Sequence, residues 1–369
     1  MEFIDLASQL QFMRTAIDKR IGTVLNHGQF ILGPEVSELE QKLAEYVGVK
    51  HCITCANGTD ALQIALMTQN IGHGDIVFTT SFSFFATAEV ISLVGATPYF
   101  VDIDPKTYNV CPQSLARAIK DVKESKKGNP RAVIAVDLFG LPANYTDLET
   151  LCKANQLFLI EDAAQGFGGA INGQKAGSFG DIATTSFFPA KPLGCYGDGG
   201  AIFTNSEEIA DLAKSIRVHG KGSHKYENVR IGLNSRLDTI QAAILLEKLE
   251  WFPKELEHRQ TISKIYDTID SSLTLPFVPS SYYSSWAQFT VRVKSSQRQR
   301  WLDYMHKNSI PTAIYYPTPL NSQQAFKHCQ STQTSNSVEA AKSVFSLPMS
   351  GYLSLKDAES IVGKINEFS

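Results

Sequence analysis

The sequence is poor in the features that mark several protein classes. Its 369 residues hold no block of like charge, and 34 Lys and Arg against 37 Asp and Glu leave a formal net charge of −3. That balance gives neither the basic footprint of a nucleic-acid binder nor a patch for a membrane surface, so anionic small ligands need local sites. No apolar run is long enough to cross a bilayer. The stretch Met1-Glu2-Phe3-Ile4-Asp5 has two acids and neither a basic leader nor an apolar core, so no signal peptide and a cytoplasmic location are expected. The six cysteines (Cys52, Cys55, Cys111, Cys152, Cys195, Cys329) form no disulfide framework, which in a chain this long fits reduced, mostly buried thiols. Cys52 and Cys55 have CxxC spacing, but without a second pair or clustered histidines a zinc or redox role is disfavoured, and no metal is expected. No G-x-G-x-x-G follows the first expected strand, which weakens a dinucleotide-binding reading. No repeat of about 20 to 50 residues is visible either.

What is present is an ordinary globular composition, 43% hydrophobic and 19% charged, in a chain long enough for one large domain and a smaller one. Leu10, Met13, Ile17, Ile21 and Val24 predict a helix over residues 8–27, stopped by Gly28. Gly33-Pro34 opens a second helix over 35–47. Short apolar runs at 76–78, 97–101, 132–136, 157–160, 182–188 and 201–203 then alternate with helical stretches near 60–67, 86–94, 113–119 and 145–155. This alternation predicts an α/β layer with a mostly parallel sheet. A long helix from residue 238 is expected to break near Pro253, where the ring removes a backbone donor, and to resume over 255–269. Beyond about residue 275 the texture becomes that of a smaller α+β domain. Its expected parts are a strand at 286–293, a helix at 297–308, a low-complexity loop at 330–337 and helices near 337–345 and 354–368. The domains are accordingly placed at 1–250 and 251–369.

Three stretches carry chemistry. In Asn57-Gly58-Thr59-Asp60-Ala61-Leu62, at a strand-to-helix junction, glycine lets the backbone approach an anion and the free N–H groups of a new helix point at it. Taken alone, this is equally an ordinary helix start with threonine as its cap. In Leu157-Phe158-Leu159-Ile160-Glu161-Asp162-Ala163-Ala164-Gln165, an apolar strand ends in two acids, at the edge where α/β proteins bind ligands. A buried Asp162 stays ionised only opposite something positive, and the pyridinium nitrogen of pyridoxal phosphate is such a partner; a helix-capping acid is the alternative. In Ser186-Phe187-Phe188-Pro189-Ala190-Lys191-Pro192-Leu193-Gly194, one lysine sits among apolar residues, glycines and prolines. Desolvation can lower such an amine enough to form and exchange imines, although a partly buried structural lysine would read the same way. Ser186, five positions earlier, can donate to the same phosphate, and Gly197-Asp198-Gly199-Gly200 forms a tight turn beside the lysine.

In their order, Gly58-Thr59-Asp60-Ala61-Leu62, Glu161-Asp162-Ala163-Ala164-Gln165, Ser186 to Lys191, Gly197-Asp198-Gly199-Gly200 and Asn234-Ser235-Arg236-Leu237-Asp238 resemble the DegT/DnrJ/EryC1/StrS nucleotide-sugar aminotransferases. The resemblance spans essentially the whole chain, from Gly33-Pro34-Glu35 to Ser346-Leu347-Pro348-Met349. It implies the fold-type-I architecture of pyridoxal phosphate transferases, with a large mixed-sheet α/β domain and a smaller C-terminal α+β domain. It also implies a homodimer with active sites at the subunit interface and L-glutamate as amino donor. On that resemblance Lys191 bears the cofactor and shuttles the proton, Asp162 pairs with the pyridine nitrogen, Gln165 approaches the ring hydroxyl and Phe84 stacks on the ring. Gly58, Thr59, Asp60 (through its backbone) and Ser186 hold the phosphate with Asn234 of the other subunit. The stretches around Asn234 and Tyr316-Pro317-Thr318-Pro319-Leu320-Asn321 resemble the WbpE-type branch, which aminates C3 of a UDP-linked 2-acetamido-2-deoxy-3-keto-hexuronate for O-antigen synthesis. Asn321, where other branches carry histidine, agrees with that branch; Tyr315, where it carries histidine, departs from it. Arg236, Tyr315 and Tyr316 are then expected to orient the sugar. Two alternatives stand beside this reading: a 4-keto-6-deoxy or 3-keto-6-deoxy sugar on UDP or dTDP, and a non-catalytic cofactor-binding regulator.

Overall fold

The computed structural model describes residues 1–224, 226–270 and 272–368. Along the chain the strands are β1 (His51–Cys55), β2 (Asp75–Thr80), β3 (Thr97–Val101), β4 (Asn129–Val136), β5 (Phe158–Asp162), β6 (Ala170–Ile171), β7 (Gln174–Lys175), β8 (Ile182–Ser186), β9 (Gly200–Thr204), β10 (Tyr282–Tyr283), β11 (Phe289–Arg292) and β12 (Val344–Leu347). The helices are α1 (Leu6–His27), α2 (Pro34–Val47), α3 (Gly58–Thr68), α4 (Ala86–Leu93), α5 (Pro112–Ser125), α6 (Tyr145–Asn155), α7 (Glu207–Ile216), α8 (Thr239–Tyr266), α9 (Arg298–Lys307), α10 (Ser335–Ser343) and α11 (Leu355–Phe368).

The main sheet has the order β1-β9-β8-β5-β4-β2-β3. Strands β3, β2, β4, β5 and β8 run parallel, and β9 runs against both β8 and β1. The expected mostly parallel sheet is present, with one reversed strand inside it. Successive residues of a strand face opposite sides. Val77 joins a core with α3, α4 and α7, whereas its neighbours Ile76 and Phe78 join α5 and α6 on the other face. Helices cover both faces, so the strands read as continuous apolar runs rather than alternating ones. Each such side chain, once buried, stabilises the fold by about 1.5–3 kcal/mol.

Strand β1, implied only by the strand-to-helix junction at Asn57, is absent from the expected apolar runs: its two cysteines and threonine do not read as a core strand. Cys52 packs into the core formed with α2 and α8 and Cys55 into the one formed with α3. Their thiols thus lie on opposite sides of the sheet, which a shared metal would not bridge. Helix α7 was missed too, although Ser206 caps it, accepting from Ile209 N at 3.4 Å.

The expected break at Pro253 does not occur. Helix α8 is continuous for 28 residues with the proline inside, and the boundary placed between 250 and 251 falls within it. The ring removes one helical hydrogen bond. Leu249, Phe252 and Leu256 are nevertheless buried against α2 and the main sheet, and Ile262 and Tyr266 lie in a second core with Phe289, Trp301 and Phe345. Packing along the helix outweighs the lost bond. Two further expectations change: the strand at 286–293 shortens to β11, and the helix near 337–345 shifts two residues back to Ser335–Ser343, after which β12 pairs with β11.

Candidate active site

Strands β2, β4, β5 and β8 end on the same edge of the sheet, and the chain after each turns into one site. Asp162 ends β5 and is buried. Its Oδ2 accepts from Thr87 Oγ1 at 3.0 Å and its Oδ1 from Ala164 N at 3.2 Å. Burial pushes this carboxyl up, while the charge of Lys191 and the two hydrogen bonds pull it back. Lys191 shows the mirror image: burial pushes its amine down and Asp162 opposes the shift. The half-buried lysine sits on a tightly folded loop after β8, in which Lys191 N donates to Phe188 O at 2.9 Å and Cys195 N to Phe187 O at 2.8 Å.

Gln165 is buried, and its amide orientation is set by its partners. Oε1 accepts from Phe139 N at 2.9 Å, so Nε2 is the end that donates, at 3.0 Å, to the Tyr316 hydroxyl. The Tyr316 ring lies 6.3 Å from that of Phe84, which is 55% exposed despite being wholly apolar. Behind this layer are two more acids. Glu161 accepts from Gly177 N and Phe179 N at 2.7 and 2.8 Å, and Asp137 accepts from Ala143 N and Tyr145 Oη at 2.9 and 2.8 Å. Asp137 Oδ2 is buried without a hydrogen-bond partner; burial pushes Asp137 up to about 7, and burial together with the charge of Asp137 pushes Glu161 well above its ordinary value. Of the three acids, Asp162 is the one whose charge Lys191 offsets.

At the other end of the site, α3 meets the end of β8. The cap of α3 is Asn57 rather than Thr59, its Oδ1 accepting from Asp60 N at 2.8 Å. The Asp60 N–H is therefore engaged, while those of Gly58 and Thr59 have no intrahelical partner. A Cβ on Gly58 would fall 2.6 Å from Ser186 Cβ, and one on Gly200 would fall 2.4 Å from the Asn57 carbonyl oxygen. Only glycines let the helix start approach the strand end this closely. The result is a small cradle of N–H groups and the Ser186 hydroxyl at the positive end of a helix.

The remaining candidates are placed differently. Asn321 has its amide engaged: Oδ1 accepts from Ser81 Oγ at 2.6 Å and Nδ2 donates to Thr334 Oγ1 at 3.1 Å. The Tyr315 ring lies 5.8 Å from Tyr316 and 6.3 Å from Phe3. Asn234 is exposed and Arg236 half-buried, on an extended stretch anchored by the buried Ser235, whose Oγ accepts from Ala56 N at 3.1 Å. Neither joins the hydrogen bonds of Asp162 or those of the Gln165–Tyr316 pair. Sequence reasoning missed Thr87, Asp137, Phe139 and Asn57. Asn57 had a readable signal, an Asn three residues before Asp60 at a helix start. The other three are brought in by the sheet order alone.

The model of the DegT/DnrJ/EryC1/StrS aminotransferase family matches residues 11–366. The chain belongs to this family. It is 45% identical over 355 residues, 96% of both chains, to the UDP-2-acetamido-2-deoxy-3-oxo-D-glucuronate aminotransferase of Pseudomonas aeruginosa. It is 38% identical to the UDP-N-acetyl-3-dehydro-alpha-D-glucosamine 3-aminotransferase of Acidithiobacillus ferrooxidans, over 94% of this chain and 92% of that one. The crystal structure of a DegT DnrJ EryC1 StrS aminotransferase from Brucella abortus superposes with a TM-score of 0.98 at 46% identity, covering 100% of this chain and 99% of the other. The fold is thus that of the pyridoxal phosphate aminotransferases, and pyridoxal phosphate is the cofactor. The site fits it: the cradle at Gly58, Thr59 and Ser186 suits a phosphate, the buried Asp162 suits a protonated ring nitrogen, and the exposed Phe84 offers a stacking face.

Proposed function

We propose that this aminotransferase moves the amino group of L-glutamate to C3 of a UDP-linked 2-acetamido-2-deoxy-3-keto-hexuronate, for O-antigen or a related surface polysaccharide. The observation that carries the reaction class is the buried Asp162 opposite Lys191, beside the Gln165–Tyr316 pair. The choice of sugar is supported by the 45% identity to the Pseudomonas aeruginosa enzyme across 96% of both chains.

Pyridoxal phosphate supplies a carbonyl that exchanges amines and a ring that accepts the electrons released at the adjacent carbon. The protein's own residues do the rest. Gly58, Thr59 and Ser186 hold the phosphate, with Asn234 contributed across the dimer. Asp60 adds its helix-start position rather than a free N–H. Asp162 would keep the ring nitrogen protonated, Gln165 would approach the ring hydroxyl beside Tyr316, and Phe84 would offer one stacking face. Lys191, its amine favoured in the neutral form by burial, would take the proton from the carbon bearing the amino group and deliver it to the carbon on the other side of that nitrogen. Arg236, reaching across the dimer, meets the uronate carboxylate with its planar fork, and Tyr315 and Tyr316 orient the sugar. Asn321, with its amide engaged, shapes the pocket wall. The same reading makes the protein a cytoplasmic homodimer; its association is supported by the exposed apolar side chains Phe30, Ile31, Leu32, Phe188, Val229 and Ile231. Within each subunit a large unit, 1–250, and a small one, 251–369, are joined through the continuous α8.

The test is to incubate the purified protein, pyridoxal phosphate and glutamate with UDP- and dTDP-linked keto sugars and to identify the amino sugars by mass and NMR. Amination of the 3-keto-hexuronate with highest efficiency is expected. Preference for a 4-keto-6-deoxy sugar would overturn the choice of sugar and leave the class standing, and no turnover of any keto sugar would overturn the class.

A further inference from the structure

Lys248, on α8, is only 2% exposed and ranks among the largest fully buried side chains. A buried amine needs a partner, since stranding it away from water is costly. Its Nζ donates to the carbonyl oxygen of Gly194 at 2.5 Å and stands 4.2 Å from the centre of the Tyr196 ring. Both partners belong to the loop that carries Lys191. Gly194 lies where that loop closes on itself, for a Cβ there would fall 2.6 Å from the carbonyl oxygens of both Phe188 and Pro189. The amine is also faced by Cys195 of the loop and by Glu255 further along α8. Glu255 Oε1 accepts in turn from Gln9 of α1 at 2.9 Å and from the Tyr352 hydroxyl, just before α11, at 2.8 Å. Burial pushes Lys248 down to about 8, with Glu255 and Cys195 opposing the shift.

We propose that Lys248 is a positioning residue for Lys191: it hooks Gly194 and Tyr196 from the α8 side and so holds the loop that presents the Lys191 amine to Asp162. The inference rests on the reading of Lys191 as the cofactor-bearing lysine. A hydrocarbon of the same length would fill the same space, but it would leave the Gly194 carbonyl without its donor and the loop free to shift. Misplacement of a reacting group by about 1 Å can cost on the order of a hundredfold in rate.

The test compares Lys248→Met, which removes the donor at similar volume, with Lys248→Arg and Lys248→Gln, which keep one. In the cofactor-loaded enzyme, Lys248→Met is expected to move the pH midpoint of the cofactor's visible band and to lower kcat by about tenfold or more with the KM for the sugar nearly unchanged. At least one donor-bearing variant is expected to recover part of both. In the cofactor-free protein, backbone amides of 188–199 are expected to exchange about tenfold faster in Lys248→Met, with other segments unchanged. Lower thermal stability with an unmoved midpoint and unchanged exchange over 188–199 would make Lys248 a core residue only and overturn the proposal. If Lys248→Met does not fold, the Gln and Arg variants decide by the same readings. Failure of the unaltered protein to take up pyridoxal phosphate would instead overturn the parent reading, and the exchange measurement would still decide the loop.

Discussion

Asp162 and Lys191 each carry a charge that burial opposes and the other stabilises. Replacing Asp162 with Asn leaves the shape and removes the charge, and a hydrogen bond to a charged group is worth about 1.5–3 kcal/mol. Steady-state kinetics of Asp162→Asn should therefore show kcat/KM lower by roughly 10- to 150-fold, and an unchanged value would mean that Asp162 does not hold the ring nitrogen. Asp137 makes a different statement. Its carboxyl is pushed up to about 7, against about 3.9 in an unfolded chain. The folded protein thus binds this proton more tightly than the unfolded one. The stability contributed is fully present below about pH 4 and is lost as pH rises through about 7. Asp137→Asn keeps an acceptor for Ala143 N and Tyr145 Oη, so urea unfolding between pH 5 and 8 should decline less steeply than in the unaltered protein; equal slopes would contradict the assignment. At this scale Lys191, Asp162 and Ser186 were legible because each breaks a local pattern: a charge in an apolar run, or an acid or hydroxyl at a strand end. Asp137, Thr87 and Phe139 break none, and their roles arise only where β2, β4 and β5 meet.

Among the elements, those with a clear period were readable. Helix α1 and strand β3 fall within two residues of expectation because nothing in their packing contradicts their patterns. Strand β1 is held by its place beside β9, with Ile53 against Ile202, rather than by its own composition. Helix α8 is the clearest conflict between local preference and packing. Proline inside a helix is about 3 kcal/mol less favourable than alanine. Pro253→Ala restores a donor for the Leu249 carbonyl and is expected to raise stability, by up to about that amount, in a thermal melt. A loss of stability would show that the proline itself is needed to carry α8 from the sheet into the C-terminal core.

In the whole molecule, the sheet order brings together segments near residues 58, 84, 137, 162 and 186–191 that lie far apart in the chain. Alternating runs disclose that there is a parallel sheet, but not which strands are neighbours. Asn234 and Arg236, outside that edge, are the residues proposed to cross a dimer. The mixing of two inactive proteins, Lys191→Ala and Arg236→Ala, checks this. If the site is shared, random exchange places both defects in one site of each mixed dimer and leaves the other intact, restoring about a quarter of the original activity. No recovery on subunit exchange would place both residues in one subunit's site.

The central claim is that Lys191 bears the cofactor, and the chain itself supplies the control, for Lys248 is another lysine whose amine burial pushes down. Borohydride reduction of the protein loaded with pyridoxal phosphate, followed by peptide mass mapping, separates the two. The account expects a yellow protein that bleaches on reduction and carries the cofactor on the peptide containing Lys191. A colourless protein, or label on Lys248 or any other lysine with Lys191 unmodified, would contradict it.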